Sequence, residues 1–326
     1  MMKKLLFSLC AYTLSMCTTL FAQEYRNVLV EHFTNTRCSA CAARNPGLFE
    51  NLDNHPEVLH IAYHPSAPYA NCVINQHNPQ ENDDRTNYYG IYGGTPRLVI
   101  MGEVQSAGVD FSSAEIFAQY DSLIAGFDIH LEQKFTSGGD SFTVDVNIQR
   151  ISSTNDSVAW LHLMAVEAFI AYNSPNGEDE HHNVFRRTFF GSAGKKITLP
   201  MGLNESVNLK ATIPFDEDWS YAEIYALALL QNSNAEILQA ESGRDQPILN
   251  TFDSADRNTG LEVYPVPAND RLFVSTSGKI VTIFDITGKT IYDGPGGAIR
   301  TAQWDNGIYF VALPGYDAVK KVVIQH

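Results

Sequence analysis

The chain has 326 residues, 44% of them apolar and 18% charged, and a formal net charge of −15. Its length leaves room for two or three domains, and its composition is that of a folding chain rather than a disordered one. The acidic balance argues against nucleic-acid binding, which needs Lys and Arg to neutralise phosphate, and against attraction to anionic lipid.

The first residues, MMKKLLFSLCAYTLSMCTTLFAQ, place Lys3 and Lys4 before an apolar run from Leu5 to Leu20, closed by small residues ending at Ala22. This is the order of a removable signal peptide, residues 1–22, and it predicts export. A membrane anchor is the rival reading. The run is short for that and is interrupted by Ser8, Thr13, Ser15, Thr18 and Thr19. A lipid-attached Cys17 is a further rival, but Cys17 follows Met16 rather than a small residue. Cleavage removes Cys10 and Cys17 and leaves Cys38, Cys41 and Cys72. In an oxidising compartment two of these can pair, and one is left over.

Residues 24–126 alternate strand-like and helix-like stretches. Val28 to Phe33, Val58 to Tyr63 and Arg97 to Met101 read as strands. Ala42 to Asp53 and Pro79 to Tyr89 read as helices, and Ser112 to Ala125 as an amphipathic helix begun by a Ser cap. Such alternation predicts an α/β layer fold. Residues 127–250 change character. Phe142, Val144, Val146 and Ile148 alternate with polar residues, and Val207, Leu209, Ala211, Ile213 and Phe215 with polar or turn residues. Val158 to Tyr172 and Ile224 to Gln231 read as strands buried on both faces, so a β-sandwich is expected. Residues 244–259 are polar and weakly patterned, as in a linker. From 260 to 326, short strands punctuated by Pro and Gly predict a second, smaller all-β module.

The sharpest chemistry lies in Cys38-Ser39-Ala40-Cys41. Two cysteines at this spacing on a helix start lie one turn apart. The first sits where backbone N–H groups and the helix dipole stabilise a thiolate, and the second can resolve a mixed disulfide. Taken alone, the motif is also compatible with half a zinc site or an inert local disulfide. The apolar strand ending at Phe33 runs into it, and Pro46 follows five residues after Cys41. Further on, Tyr89-Gly90-Ile91-Tyr92-Gly93-Gly94-Thr95-Pro96 precedes the strand from Arg97. On these residues the chain resembles the thioredoxin superfamily over about 100 residues. The resemblance implies a cis Pro96 facing the cysteines, which with Thr95 positions an incoming substrate strand beside Cys38. The chain departs from the family pattern at three places. Arg37 replaces the family's tryptophan, and a guanidinium there would favour the thiolate. His32 replaces its buried acid, so that neutral His32 could accept a proton and charged His32 could stabilise a thiolate. The inner Ser-Ala dipeptide lacks the usual proline.

Cys72 lies in a turn-rich loop, either as a buried free thiol or as a third partner exchanging with Cys38 or Cys41. Glu178-Asp179-Glu180-His181-His182 reads as a solvated acidic turn rather than a metal site. No cofactor or metal is expected. A CxxC domain followed by a sandwich resembles the outer-membrane-protein-28-related family of Bacteroidetes, a likeness that bears on location more than activity. The C-terminal residues Tyr264-Pro265-Val266-Pro267-Ala268, Asp285-Ile286-Thr287-Gly288-Lys289, Asn306-Gly307-Ile308-Tyr309 and Lys320-Lys321-Val322 occur in order. They closely resemble the type A sorting domain of type IX secretion cargo. That resemblance implies passage through the outer membrane by the type IX machinery, acting on residues 261–326. Removal of the domain would come next, with attachment to surface glycolipid or release.

The expected architecture is therefore an α/β thioredoxin-like domain (24–126), an all-β sandwich (127–250) and a small all-β sorting domain (260–326). The expected function is thiol–disulfide exchange at the cell surface or outside the cell. Cys38 and Cys41 would be catalytic, Thr95 and Pro96 would position the substrate, and His32, Arg37 and Pro46 would support the site. The substrate would be a disulfide- or thiol-bearing protein. The alternative is a non-catalytic surface binding or structural protein whose cysteines only staple one turn.

Overall fold

The structure is a computed structural model that describes residues 24–91, 94–135, 140–216, 218–221, 223–244, 261–275, 280–312 and 319–326. The expected signal peptide and nearly all of the expected linker lie outside the described residues.

The first hundred of these residues form β1 (Leu29–Phe33), α1 (Ser39–Asp53), β2 (Leu59–Tyr63), α2 (Val73–His77), α3 (Pro79–Tyr88), β3 (Arg97–Ile100), β4 (Glu103–Val104) and α4 (Glu115–Ala118). β1 and β2 are parallel, from Leu29 opposite Leu59 to Phe33 opposite Tyr63. A parallel pair needs a long crossover, and α1 supplies it. β3 returns antiparallel along the other edge of β1, and β4 folds back on β3. All five residues of β1 are buried. Its alternating side chains point to opposite faces, with Phe49 of α1 packed on His32 and Arg85 of α3 paired with Glu31.

The expected helix from Ser112 to Ala125 is only the four-residue α4, capped by no side chain. Two competing bonds explain this. The Ser112 hydroxyl is spent on Asp110 rather than on a helix N-terminus. Downstream, the Ala125 N–H donates to the Glu24 carbonyl, and Ile124 bridges to Tyr25, which draws the segment into extended structure. Ile116, Phe117 and Tyr120 still enter the core.

The next strands are β5 (Phe127–Phe135), β6 (Ser141–Arg150), β7 (Val158–Ala171), β8 (Glu180–Thr188), β9 (Lys195–Thr198), β10 (Ser206–Pro214), β11 (Ile224–Gln231) and β12 (Ile237–Ser242). β10, β6 and β5 make a three-stranded sheet. The others join the first layer in one sheet ordered β12-β11-β7-β8-β2-β1-β3-β4, with β9 paired to β7. Strand pairing thus crosses residue 126, where the composition changes, through a parallel contact at Ala62 and Val184. β8 begins at Glu180 with His181 buried, so the expected solvated turn over 178–182 is corrected: its last three residues start an interior strand.

β7 and β11 explain how two cores share one sheet. Met164, Val166 and Ala168, with Tyr225, Leu227 and Leu229, belong to the buried cluster that holds Leu29, Val30 and Phe33 of β1 and Leu48 of α1. Leu161, Leu163 and Ala165, with Ala226, Ala228 and Leu230, pack against Phe142, Val144, Val146 and Ile148 of the three-stranded sheet. This is the double burial expected for these two segments. Each large apolar side chain taken fully from water contributes about 1.5–3 kcal/mol.

The C-terminal residues form β13 (Glu262–Tyr264), β14 (Arg271–Ser275), β15 (Ile280–Asp285), β16 (Thr290–Pro295), β17 (Gly297–Arg300), β18 (Gly307–Ala312) and β19 (Val319–Ile324). They build one sheet ordered β13-β14-β17 and another ordered β16-β15-β18-β19 around Leu272, Val274, Val281, Ile283, Val311 and Val322. The turn after β15 is dictated by its sequence. Asp285 Oδ1 accepts the N–H groups of Thr287 and Lys289, and Gly288 takes a φ of +85° that a side chain would oppose.

Candidate functional site

The site begins where β1 ends. Asn35 turns the chain: its Oδ1 accepts the Arg37 N–H at 3.0 Å, and its carbonyl accepts the Cys38 N–H at 3.0 Å. Cys38 then takes the N-cap of α1, in extended conformation, and its Sγ accepts the Cys41 N–H at 3.1 Å. One of the open donors of a helix start is thereby satisfied by sulfur. On its other side the Cys38 thiol donates to the Thr95 carbonyl at 3.4 Å. The Thr95–Pro96 bond is cis. Cys38 is 3% exposed and Cys41 is fully buried, and Cys38, Cys41 and Cys72 are all free thiols. Burial pushes the Cys41 thiol up to about 12. Neighbouring Cys38 adds to that shift, while the side chains of Thr95 and Thr34 oppose it. Pro46 lies inside α1, which runs on through it to Asp53.

Two outside segments hold the cysteine loop. The first is the stretch before α2. Asn35 Nδ2 donates to the carbonyls of Pro65 and Tyr69, the Thr36 hydroxyl donates to Cys72 Sγ at 3.2 Å, and Arg37 Nε donates to the Asn71 carbonyl. Arg37 is thus engaged with Asn71, and Cys72, at the N-cap of α2, is fully buried. The second is the turn between β7 and β8. Asn176 donates its backbone N–H to the Thr36 carbonyl, and its Nδ2 to the carbonyls of Cys38 (3.1 Å) and Asn35 (3.3 Å).

Beneath the helix start, Asn45 of α1 donates through Nδ2 to Thr34 Oγ1 at 2.9 Å and to Glu178 Oε1 at 2.7 Å. Glu178 Oε2 accepts from Asn176 Nδ2 at 2.5 Å. His32 lies on the α1 side of β1, its Nδ1 3.4 Å from His60 Nε2. His60 continues to Asn183, which meets Tyr225 and Arg244. Burial pushes His32 down to about 3. The Asn45 side chain opposes that shift and Arg44 adds to it, so the ring is neutral at physiological pH.

Cys38, Cys41, Thr95 and Pro96 therefore come together, and Cys72 joins the same loop through Thr36. Sequence reasoning did not find Asn45, Asn176 or Glu178. The last two lie more than 130 residues from Cys38 and reach it only through the β7–β8 turn, and no local motif signals them.

A search of curated proteins found no match. Among solved structures, HBP35 of Porphyromonas gingivalis aligns over 94% of this chain and 100% of its own, with 17% identity and a TM-score of 0.59. At that identity the likeness speaks for fold alone. A protein of Agrobacterium tumefaciens aligns over 70% of this chain and 99% of its own (17% identity, TM-score 0.42). A domain of the outer membrane lipoprotein Omp28 from Porphyromonas gingivalis aligns over 36% of this chain and 86% of its own (10% identity, TM-score 0.27). Both scores are too low to carry an argument. No helix among the described residues is long and apolar enough to cross a membrane. Residues 262–325 match the family described as the secretion system C-terminal sorting domain. The chain therefore ends in a type IX sorting domain that engages that secretion machinery, and the protein is exported to the cell surface or the extracellular space.

Proposed function

We propose that the protein is an exported thiol–disulfide exchange protein, in which Cys38 is the nucleophile and Cys41 the resolving thiol of a thioredoxin-like layer. The pairing of β2, β1, β3 and β4 supports that layer, with the first two parallel and the rest antiparallel. The observation that carries the reading is the placement of Cys38. Its sulfur accepts the Cys41 N–H at the head of α1 and lies 3.4 Å from the Thr95 carbonyl, while Cys41 sits deeper. The reaction has two steps. Cys38 loses its proton and attacks one sulfur of a protein disulfide, and the other sulfur leaves as a thiolate and takes up a proton. Cys41 then loses its proton and attacks Cys38 Sγ, which forms the Cys38–Cys41 bond and releases the second substrate thiol. The substrate is reduced by two electrons and the dithiol is oxidised by two. Thr95 and Pro96 would align the incoming strand. After sorting, residues 261–326 would be removed and the remainder attached to surface glycolipid or released.

One observation favours a second reading, a non-catalytic surface protein with a stapled turn. Cys38 is only 3% exposed, and two segments strap its loop. A single experiment separates the two. With the native protein, Cys41→Ser is expected to accumulate a mixed disulfide between Cys38 and a disulfide-bearing protein, and Cys38→Ser to accumulate none. If Cys38 stays unmodified by both substrate and alkylating reagent until the protein unfolds, the non-catalytic reading stands.

A further inference from the structure

We propose that Asn176, in the turn between β7 and β8, is a positioning residue that latches Cys38 in a closed place, so that release of this one side chain opens the thiol to a protein disulfide. The latch deepens the exchange reading above, on which its use depends, by naming what controls access to the nucleophile.

The turn spends one end of the Asn176 amide on itself. Oδ1 accepts the Ser174 hydroxyl at 2.5 Å and the Glu178 N–H at 3.2 Å. A backbone N–H can only donate, so Oδ1 must face it and Nδ2 must face the other way. On that side lie three acceptors: the Cys38 carbonyl at 3.1 Å, the Asn35 carbonyl at 3.3 Å and Glu178 Oε2 at 2.5 Å. An amide nitrogen has only two hydrogens. The carboxylate is closest and takes one, which orients the group, and the two carbonyls share the other. The backbone N–H of Asn176 adds a third grip on the Thr36 carbonyl at 3.1 Å. One residue of the second half therefore holds the carbonyls of residues 35, 36 and 38. The turn that presents it is closed by the Ser174 N–H on the Glu178 carbonyl and by Gly177, whose φ of +98° a side chain would oppose.

The consequence falls on access. Cys38 is 3% exposed, although its neighbours Arg37 and Ser39 are both exposed. Its sulfur is confined between the Cys41 N–H and the Thr95 carbonyl, and its backbone is confined by Asn176. Attack on a disulfide needs an open line to the sulfur. Without the latch, the Cys38 carbonyl keeps its bonds within α1, from the N–H groups of Cys41 and Ala42. The helix start then survives, while the stretch from Asn35 to Cys38 gains freedom to turn the sulfur outward. A side chain on the second half of the chain would thus govern the reach of a thiol on the first.

The test labels the reduced full-length protein with iodoacetamide and reads each cysteine by mass spectrometry. Asn176→Asp keeps the oxygen that builds the turn and removes only the donor. It should speed labelling of Cys38 about three- to tenfold, the scale of one hydrogen bond. Cys41 and Cys72, both fully buried, should label as slowly as before, which separates local opening from unfolding. Adding Glu178→Gln relieves the repulsion between two carboxylates but leaves the carbonyls without a donor from residue 176, so labelling should stay fast. The proposal is overturned if Asn176→Asp leaves Cys38 labelling unchanged or slower, if Cys72 quickens equally, or if the double variant returns to the unaltered rate. A symmetric aromatic disulfide that releases a coloured thiol tests the reading beneath it. The first release should quicken in the same proportion as the labelling. No release from either the unaltered protein or Asn176→Asp, with Cys38 labelling quickened, overturns the exchange reading and leaves the latch standing.

Discussion

Two adjacent residues of β1 face opposite sides of one sheet, and each buries a titratable group completely. Glu31 and His32 are both 0% exposed. On the Glu31 side the charge is kept and matched. Arg85 reaches the carboxylate through Nε at 2.6 Å and Nη2 at 2.8 Å, and the Tyr89 hydroxyl donates to it at 2.6 Å. Gln231 closes the group by accepting from Arg85 and donating to Tyr89. Burial works against the Arg85 charge, but Glu31, Tyr89 and Tyr63 outweigh it and hold the guanidinium well above its usual range. On the His32 side the charge is given up. Burial holds His32 and His60 far below the ordinary imidazole range, and their like character adds to the shift of His60. The difference teaches that the two faces of β1 handle buried polarity in opposite ways, one by pairing charge and the other by favouring the neutral form. The half that carries the cysteines is the neutral one.

The comparison breaks most severely if Arg85 is removed. Arg85→Met leaves the Glu31 carboxylate buried with no charge partner, only the Tyr89 hydroxyl, and should cost about 3–5 kcal/mol of folding stability. Adding Glu31→Leu should recover most of that loss, as denaturant unfolding at neutral pH would show. Recovery of none would mean that the pair holds the fold by shape rather than by charge.

The His32 side should respond instead to acid. Between pH 6.5 and about 3, an unfolded chain binds a proton at residue 32 that the folded chain refuses. Stability is therefore complete above the unfolded pKa and falls as the pH drops through this window, by about 1.4 kcal/mol per pH unit for each such histidine. His60 adds to the same slope. His32→Leu should flatten it by about one proton, as stability measured against pH will show. A slope unchanged in that variant would mean that His32 is charged in the fold.

The smallest effect should come from Tyr89→Phe, which removes one donor from Glu31 and leaves Arg85 in place. A loss of about 1.5–3 kcal/mol is expected for a hydrogen bond to a charged group. A larger loss would place Tyr89, not Arg85, at the centre of the charged side.

How much the sequence revealed depended on how far apart the partners lie. β1, α1, β2, α3, β3 and the alternating strands β6 and β10 are set by local period. The cysteine motif was legible because Cys38 and Cys41 lie on one turn. The Asp285 turn was legible because all its bonds close within four residues. The helix expected at 112–125 was not, because the Glu24 carbonyl that ends it is about a hundred residues away. Glu178 was read as part of a solvated turn for the same reason: only sheet pairing at 180–188 brings it to Asn45. Arg85 and Glu31, more than fifty residues apart, also gave no sign of being partners.

The joint between β2 and β8 sets an order of events during synthesis. An exported chain emerges from its N-terminus, and β2 is made more than a hundred residues before Val184, the residue that covers its outer edge. Throughout that interval the strand carries open backbone donors and acceptors on an apolar segment, which are templates for mispairing with another chain. Completion of this sheet therefore waits for the second half to arrive.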